Sequence, residues 1–323
     1  MIVKNKKKKT LVCILGQTRA QDITWKNFNK YLLKSLNADL ALCVAEKRTP
    51  NNSMYKKAKF IWNYQDLKDY SKYFSDAQNF LLKNKKIKKK PSWKKLIGIK
   101  HFWLARLKGA TKIRNNRGIY SSGTGALLIY NRWFLLQKIM RHKVYEKYDR
   151  IIVTRSDFMW NIHHPRVENL SPNYIWIPNG EKYGGYTDRH AVLSRENFYD
   201  YLNLLEPILL ESDRLYNLMK SKNNWNLERY IKFYLDQKGY SKKVKLFPYI
   251  MFSVRNQKIK TTFRPGTYSY KHKFFIKYFK EYFSFLIFFN LIDEKNKNYR
   301  NFTLLNLFYR VFKNLFKIKI ILN

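Results

Sequence analysis

The chain has 323 residues, with 65 Lys and Arg against 22 Asp and Glu, a formal net charge of +43. With 45% hydrophobic and 17% aromatic residues it can fill a packed core, which excludes global disorder. Two cysteines are too few for a disulfide framework, and the positive excess favours anionic partners: nucleic acid, phospholipid head groups or nucleotide phosphates.

Residues 1–9 are charged, and the apolar stretch 11–15 is too short for the core of a secretory signal. No run of about 18 uncharged apolar residues occurs, so the expected location is cytoplasmic. Residues 10–15, Thr-Leu-Val-Cys-Ile-Leu, predict a buried parallel strand, with a polar loop Gly16-Gln17-Thr18-Arg19 at its carboxyl end. Residues 22–36 place Trp25, Phe28, Leu32 and Leu36 at helical spacing, and 38–45 and 60–62 predict further strands. This alternation points to an α/β fold with a mostly parallel, Rossmann-like sheet. Cys13 and Cys43 lie in apolar runs and read as buried free thiols.

Residues 77–145 hold 18 Lys and Arg and no Asp or Glu. Within them a basic insertion near 83–117 includes 83–95, which reads as an exposed loop. The Ser/Gly-rich stretch 120–125, with Ser122, opens a predicted helix over 126–141. Free N–H groups at such an entrance suit phosphate or serve as a plain cap. No Gly-Lys-Ser/Thr follows, so it is not a Walker A loop. Residues 148–157, Tyr-Asp-Arg-Ile-Ile-Val-Thr-Arg-Ser-Asp, form the best-defined predicted strand, and 174–177 predict another. A Gly- and Tyr-rich loop over 181–188 precedes a helix expected over 194–210 with Ser194 as N-cap. A further helix is expected over 226–238, containing Glu228 and closed by Gly239, then a strand over 245–247.

Past about residue 266 the chain turns basic and aromatic, over 271–292 and 302–322. On a helix, Leu304, Phe308, Val311, Leu315 and Ile318 would share one face. That is the pattern of a basic interfacial helix or of a helix pair closing the core. The expected organisation is a catalytic domain over 1–265 and a basic amphipathic tail over 266–323.

Open α/β sheets place ligand chemistry at the carboxyl ends of their strands, where Asp157 stands with Arg155 two residues before it. An enzyme that uses a nucleotide-sugar must neutralise a diphosphate leaving group. It can do so with a divalent cation held by carboxylates or with Arg and Lys, and an Asp beside an Arg serves either plan. Asp157 also reads as a simple turn cap.

The order of Gly16-Gln17-Thr18-Arg19, the 148–157 strand, Gly184-Gly185-Tyr186-Thr187-Asp188-Arg189-His190-Ala191 and Asn226-Leu227-Glu228 resembles a family of GT-A-fold glycosyltransferases. That family occurs in bacterial surface-polysaccharide loci and in some large DNA viruses. The resemblance spans roughly residues 10–250 and implies a GT-A-like fold acting on a nucleotide-sugar donor and a glycan or lipid-linked glycan acceptor. It implies that Gly16, Gln17, Arg19, Ser122, Arg155 and Asp157 line the donor pocket, with Arg19 on the diphosphate. Asp157 would be the surviving carboxylate of a DxD-like motif and the ligand of a Mn²⁺ or Mg²⁺ ion. Arg155 stands where the motif has its first Asp, which sets metal dependence in question. The resemblance also implies Asp188 as the base for the acceptor hydroxyl, with Tyr186, His190 and Glu228 contacting the acceptor. His163 and His164 read as exposed or as a metal ligand. A lipid-linked acceptor and the basic tail together imply a peripheral position at an anionic inner membrane face. The competing reading is a nucleic-acid-binding protein, but no zinc-finger spacing, RNP-like strand or helix-turn-helix pattern supports it.

Overall fold

A computed structural model describes residues 9–45, 51–67, 70–99, 112–115, 118–121, 125–180, 182–222, 224–256, 267–269 and 273–291. The first half runs β1 (Thr10–Gly16), α1 (Gln21–Phe28) continued by a π-helical turn, β2 (Asp39–Val44), α2 (Ser53–Lys57), β3 (Phe60–Asn63) and α3 (Ser71–Asn84). A short hairpin of β4 (Lys112–Asn115) and β5 (Gly118–Ser121) precedes α4 (Gly125–Arg141) and α5 (Val144–Lys147). Then come β6 (Arg150–Thr154), β7 (Phe158–Trp160), β8 (Ile175–Pro178), β9 (Ala191–Ser194), α6 (Phe198–Leu202), α7 (Leu205–Leu210) and α8 (Ser212–Met219). The last elements are α9 (Leu227–Gln237), β10 (Val244–Phe247), β11 (Met251–Arg255), β12 (Thr267–Ser269), β13 (Phe274–Ile276) and α10 (Phe279–Leu291).

Among the described residues the main sheet has seven strands in the order β10-β8-β9-β6-β1-β2-β3. It is parallel except at β9, which runs antiparallel to both β6 and β8. This is the mixed α/β, mostly parallel, Rossmann-like architecture expected from the sequence. Side chains alternate across the pleat. Leu11, Cys13 and Val153 join a core with α4 and α9 on one face, while Val12, Ile14 and Ile152 join a second core with Phe28 of α1 on the other. Both cysteines are free and fully buried, and burial pushes their thiols above the usual range.

From β1 the chain goes out to β2 and β3 on one side and returns as β6 on the other. The loops leaving β1 and β6 therefore part at a topological switch point, which is where a ligand crevice opens in such sheets.

Several elements depart from the sequence reading. The 148–157 strand spans only Arg150–Thr154, and Asp157 sits in the turn before β7. The single helix expected over 194–210 is a buried strand ending at Ser194, followed by α6 and α7. Ala191–Ser194 is too short to show a period, yet it pairs with β6 in the register Ile152↔Val192 and completes the sheet. Elements beyond the expected boundary at 265 pack on the main sheet. β13 and α10 contribute Phe274, Ile276, Phe285 and Phe288 to the same core as Val12 and Ile14. Of the two readings for the tail, core closure describes α10, while 302–322 lies outside the described residues. Of the exposed loop expected over 83–95, residues 85–90 are exposed, while 83–84 end α3 and Trp93 is buried at the start of a 3-10 turn. No helix among the described residues is long and apolar enough to cross a membrane.

Candidate active site

The floor of the crevice is built by one serine that the sequence reading passed over. Gly16 turns the chain at the end of β1 with φ +96°. The Ser156 hydroxyl lies within donating distance of the Gln17 carbonyl (2.8 Å) and the Arg19 carbonyl (2.9 Å). The Ser156 carbonyl accepts from the Thr24 hydroxyl at 2.7 Å, so α1 and the two switch-point loops are stitched together. On this floor Arg155 donates from Nε to Asp157 Oδ1 at 2.8 Å and from Nη2 to Oδ2 at 2.7 Å, a bidentate pair that fixes both side chains. Burial alone would raise the Asp157 pKa, but the Arg155 guanidinium beside it holds it well below the usual carboxylate range. Arg19 is exposed above this pair, donates to the Gln17 side-chain oxygen, and adds to the positive field at Asp157.

The wall comes from the antiparallel sheet β12-β13-β11-β7. The Val254 N–H donates to the Asp157 carbonyl at 2.8 Å, and the Lys277 N–H donates to the Ser253 carbonyl at 2.9 Å. Three chain segments thus run side by side and bring Lys277 and Arg255 to the Arg155–Asp157 pair. Burial, followed by the charges of Arg155, Arg189 and Arg255 against the opposing Asp157, brings the Lys277 pKa down to about 7. Arg189 is buried, bonds Glu281 of α10 at 3.1 Å and Ser253 Oγ at 3.3 Å, and lies 4.1 Å from the Tyr278 ring centre.

Two acidic side chains lie within electrostatic reach of Arg189. Asp188 is half-buried, and its carbonyl accepts from Arg132 of α4 at 2.5 Å. Glu228 opens α9 behind Asn226, whose side chain caps the helix by accepting from the Arg229 N–H at 2.8 Å. The glycine-rich loop packs on that helix start: Tyr186 N–H donates to the Glu228 carbonyl at 3.0 Å. Burial, helped by the adjacent charge of Asp188, raises the Glu228 pKa to about 8, against its own helix-start N–H and the charges of Arg189 and Arg132. Glu228 therefore keeps its proton near neutrality.

Gly16, Gln17, Arg19, Arg155 and Asp157 therefore gather at the switch point, and Asp188 lies within electrostatic reach of Glu228. Ser122 lies outside the described residues. Tyr186 sends its ring along α9 toward Lys232, whose ammonium is 5.4 Å from the ring centre, and toward Asp236. His190 is a correction. It is fully buried in the core and out of reach of an acceptor. His164 is buried as well, not exposed. Its Nδ1 faces the Pro165 carbonyl at 2.7 Å and so carries the proton. Its Nε2 then accepts from His190 Nε2 at 3.2 Å, and His190 Nδ1 accepts from the Thr154 hydroxyl at 3.0 Å. Both rings are neutral structural parts, their pKa values lowered by burial.

The metal assignment to Asp157 is a second correction. A divalent cation such as Mg²⁺ or Mn²⁺ wants a near-complete shell of oxygen ligands. Here both Asp157 oxygens already accept from Arg155, and the neighbouring side chains Arg19, Arg255 and Lys277 are cationic. Glu228 keeps its proton between Arg189 and Arg132. Among the described residues no group of three or more His, Cys, Asp or Glu could hold a metal. This donor set does not fit a Mn²⁺ or Mg²⁺ site.

Sequence reasoning missed Ser156, Arg189, Arg255, Lys277 and Glu281. Ser156 and Arg189 were visible as neighbours of residues already singled out. The other three follow the main sheet in sequence, and nothing local marks them.

No protein-family model matches the chain, and no curated protein matches it. Among solved structures, one match is the apo form of mouse xyloside xylosyltransferase 1, at 10% identity and a TM-score of 0.38, covering 74% of this chain and 85% of that one. A likeness this distant does not assign a function.

Proposed function

We propose that the chain is a glycosyltransferase that moves a sugar from a nucleotide-sugar to a hydroxyl of a glycan acceptor. The observation that carries this is the juxtaposition, at the switch point of the sheet, of a cationic face with two acidic side chains, Asp188 and the buried Glu228. In such a transfer the bond from the anomeric carbon to the diphosphate oxygen breaks, with its electrons leaving on the diphosphate. Arg19, Arg155, Arg255 and Lys277 supply positive charge for that leaving group. The acceptor oxygen bonds the anomeric carbon and gives up its proton, for which Asp188 is the base. Glu228, still protonated, donates a hydrogen bond beside it. A buried carboxyl group that keeps its proton near neutrality can donate where an ionised one cannot.

The acceptor class we assign is a surface-polysaccharide, lipopolysaccharide or glycoprotein glycan, met at an anionic inner membrane face. The supports for this are the segment resemblance, the charge of +43 and the basic aromatic run over 302–322. Flotation on anionic vesicles, with and without residues 292–323, tests the placement; no loss of binding on truncation would remove the tail as anchor.

A thermal-shift panel of UDP-, GDP-, CMP- and dTDP-sugars tests the main reading, because a ligand that binds only the folded state raises its melting temperature. Stabilisation by at least one donor, with slow donor hydrolysis abolished in Asp188→Asn, is the expected result. No shift with any donor, together with salt-sensitive DNA or RNA binding, would overturn it.

A further inference from the structure

We propose that Lys277, with Arg19, Arg155 and Arg255, forms a diphosphate-binding site in which basic side chains take the place of a divalent cation. This rests on the transferase reading and specifies how its donor is held. Three observations converge on it.

The geometry is fixed by main chain, not by flexible loops. Val254 N–H to the Asp157 carbonyl (2.8 Å) and Lys277 N–H to the Ser253 carbonyl (2.9 Å) lock the three segments together. The β11–β13 register, Val254↔Ile276 and Arg255↔Phe275, holds the end of β13 against β11. Lys277 is therefore delivered to the Arg155–Asp157 pair by two sheet edges.

The charges are arranged for an anion. Asp157 takes the Nε and Nη2 edge of Arg155 and holds the guanidinium plane in place, leaving the Nη1 donors for phosphate oxygens. Arg189, whose charge also faces Lys277, is tied to Glu281 and left in the wall. Lys277 makes no salt bridge among the described residues; its ammonium is 4.9 Å from the centre of the Tyr278 ring. Burial lowers the Arg255 pKa, against Tyr278 and Asp157, and the like charges of Arg155 and Arg19 add to the lowering. Like charges crowded in this way are relieved by a bound anion and worsened by a bound cation.

Protonation then becomes a reporter of binding. In the free protein the Lys277 pKa is brought to about 7 by burial and by Arg155, Arg189 and Arg255, against Asp157. A diphosphate beside it favours the charged amine, so binding at pH 8 draws a proton from the buffer.

The test is isothermal calorimetry on the full chain, with inorganic pyrophosphate, UDP and GDP as probes. Each is titrated in EDTA and in Mg²⁺ or Mn²⁺, and at pH 8 in two buffers of different ionisation enthalpy. The expected result is binding in EDTA within about twofold of that with metal, and proton uptake on binding. Lys277→Ala should weaken it about tenfold or more and abolish the uptake, and Lys277→Arg should restore affinity without uptake. Should Lys277→Ala fail to fold, Arg19→Ala, on an exposed loop, should still weaken binding severalfold. Affinity that vanishes in EDTA and returns with Mn²⁺ overturns the proposal. So does a folded Lys277→Ala that binds as the parent does, or no binding of any probe. Pyrophosphate binding in EDTA with no response to any nucleotide-sugar would leave this site standing and remove the transferase reading instead.

Discussion

The carbonyl of Glu228 accepts the N–H of Tyr186 at 3.0 Å, and a Cβ placed on Gly185 would lie 1.9 Å from that same oxygen. The glycine loop and the start of α9 are in contact at a point where only a hydrogen fits. That contact brings Asp188, three residues after Gly185, beside Glu228. Gly185→Ala should force the two apart and cost roughly 1–3 kcal/mol of stability. It should also lower turnover below the level expected from stability alone. Thermal melts with donor hydrolysis measured well below the melting point check this, and unchanged turnover would show that the loop does not position Asp188.

Asp188 and Glu228 should differ in what they cost when altered. Asp188→Asn should lower kcat by about 10²- to 10⁴-fold with donor affinity kept, the range for loss of a general base. Glu228→Gln keeps a neutral hydrogen-bonding group and should cost much less at pH 7. With the Glu228 pKa at about 8, kcat at saturating donor, where the bound diphosphate keeps Lys277 charged, should fall on the alkaline side in the parent, and that limb should disappear in Glu228→Gln. A pH–rate profile of the three proteins decides it; equal losses in both variants at neutral pH would reverse the assigned roles.

The paired histidines give the fold an acid limit. The folded pKa of His164 lies at about 4, below the ordinary 6.5, because burial disfavours the charged ring. Between those values the unfolded chain binds more protons than the folded one, so stability is full above about pH 6.5 and falls as pH drops toward 4. For His164 alone the loss approaches about 3 kcal/mol. Denaturant midpoints from pH 4 to 7.5 measure this, and a His164→Gln variant should show a flatter slope across that window. An identical slope in that variant would remove His164 from the account.

The buried Arg189–Glu281 pair should be expensive to halve. Glu281 accepts from Arg189 at 3.1 Å and from the Ser253 N–H at 3.1 Å, so its loss strands a cation and an amide. Glu281→Ala should cost about 3–5 kcal/mol in urea denaturation. A loss below about 1 kcal/mol would mean that α10 does not hold the wall in place.

The sequence by itself determined the class of sheet and most of its strands. Runs such as Leu11–Ile14 and Ile151–Val153 are apolar on both faces, and only a strand covered on both sides buries them. It also placed Gly16–Arg19, Arg155 and Asp157 at strand ends and Glu228 at a helix start, because turns and caps have local residue signatures. Tertiary structure decided which of these meet. His190 follows Asp188 by two residues, yet one lies in the core, against His164 and Thr154, and the other is half-exposed, which depends on the packing of the turn before β9. Lys277 is more than a hundred residues from Asp157 in sequence and reaches it only through the antiparallel edges of β7, β11 and β13. Pairing between distant strands follows from which edges are free once the core has formed, and no local pattern encodes that. The carboxylate that read as a metal ligand is for this reason an Arg-bound anion within a cationic crevice.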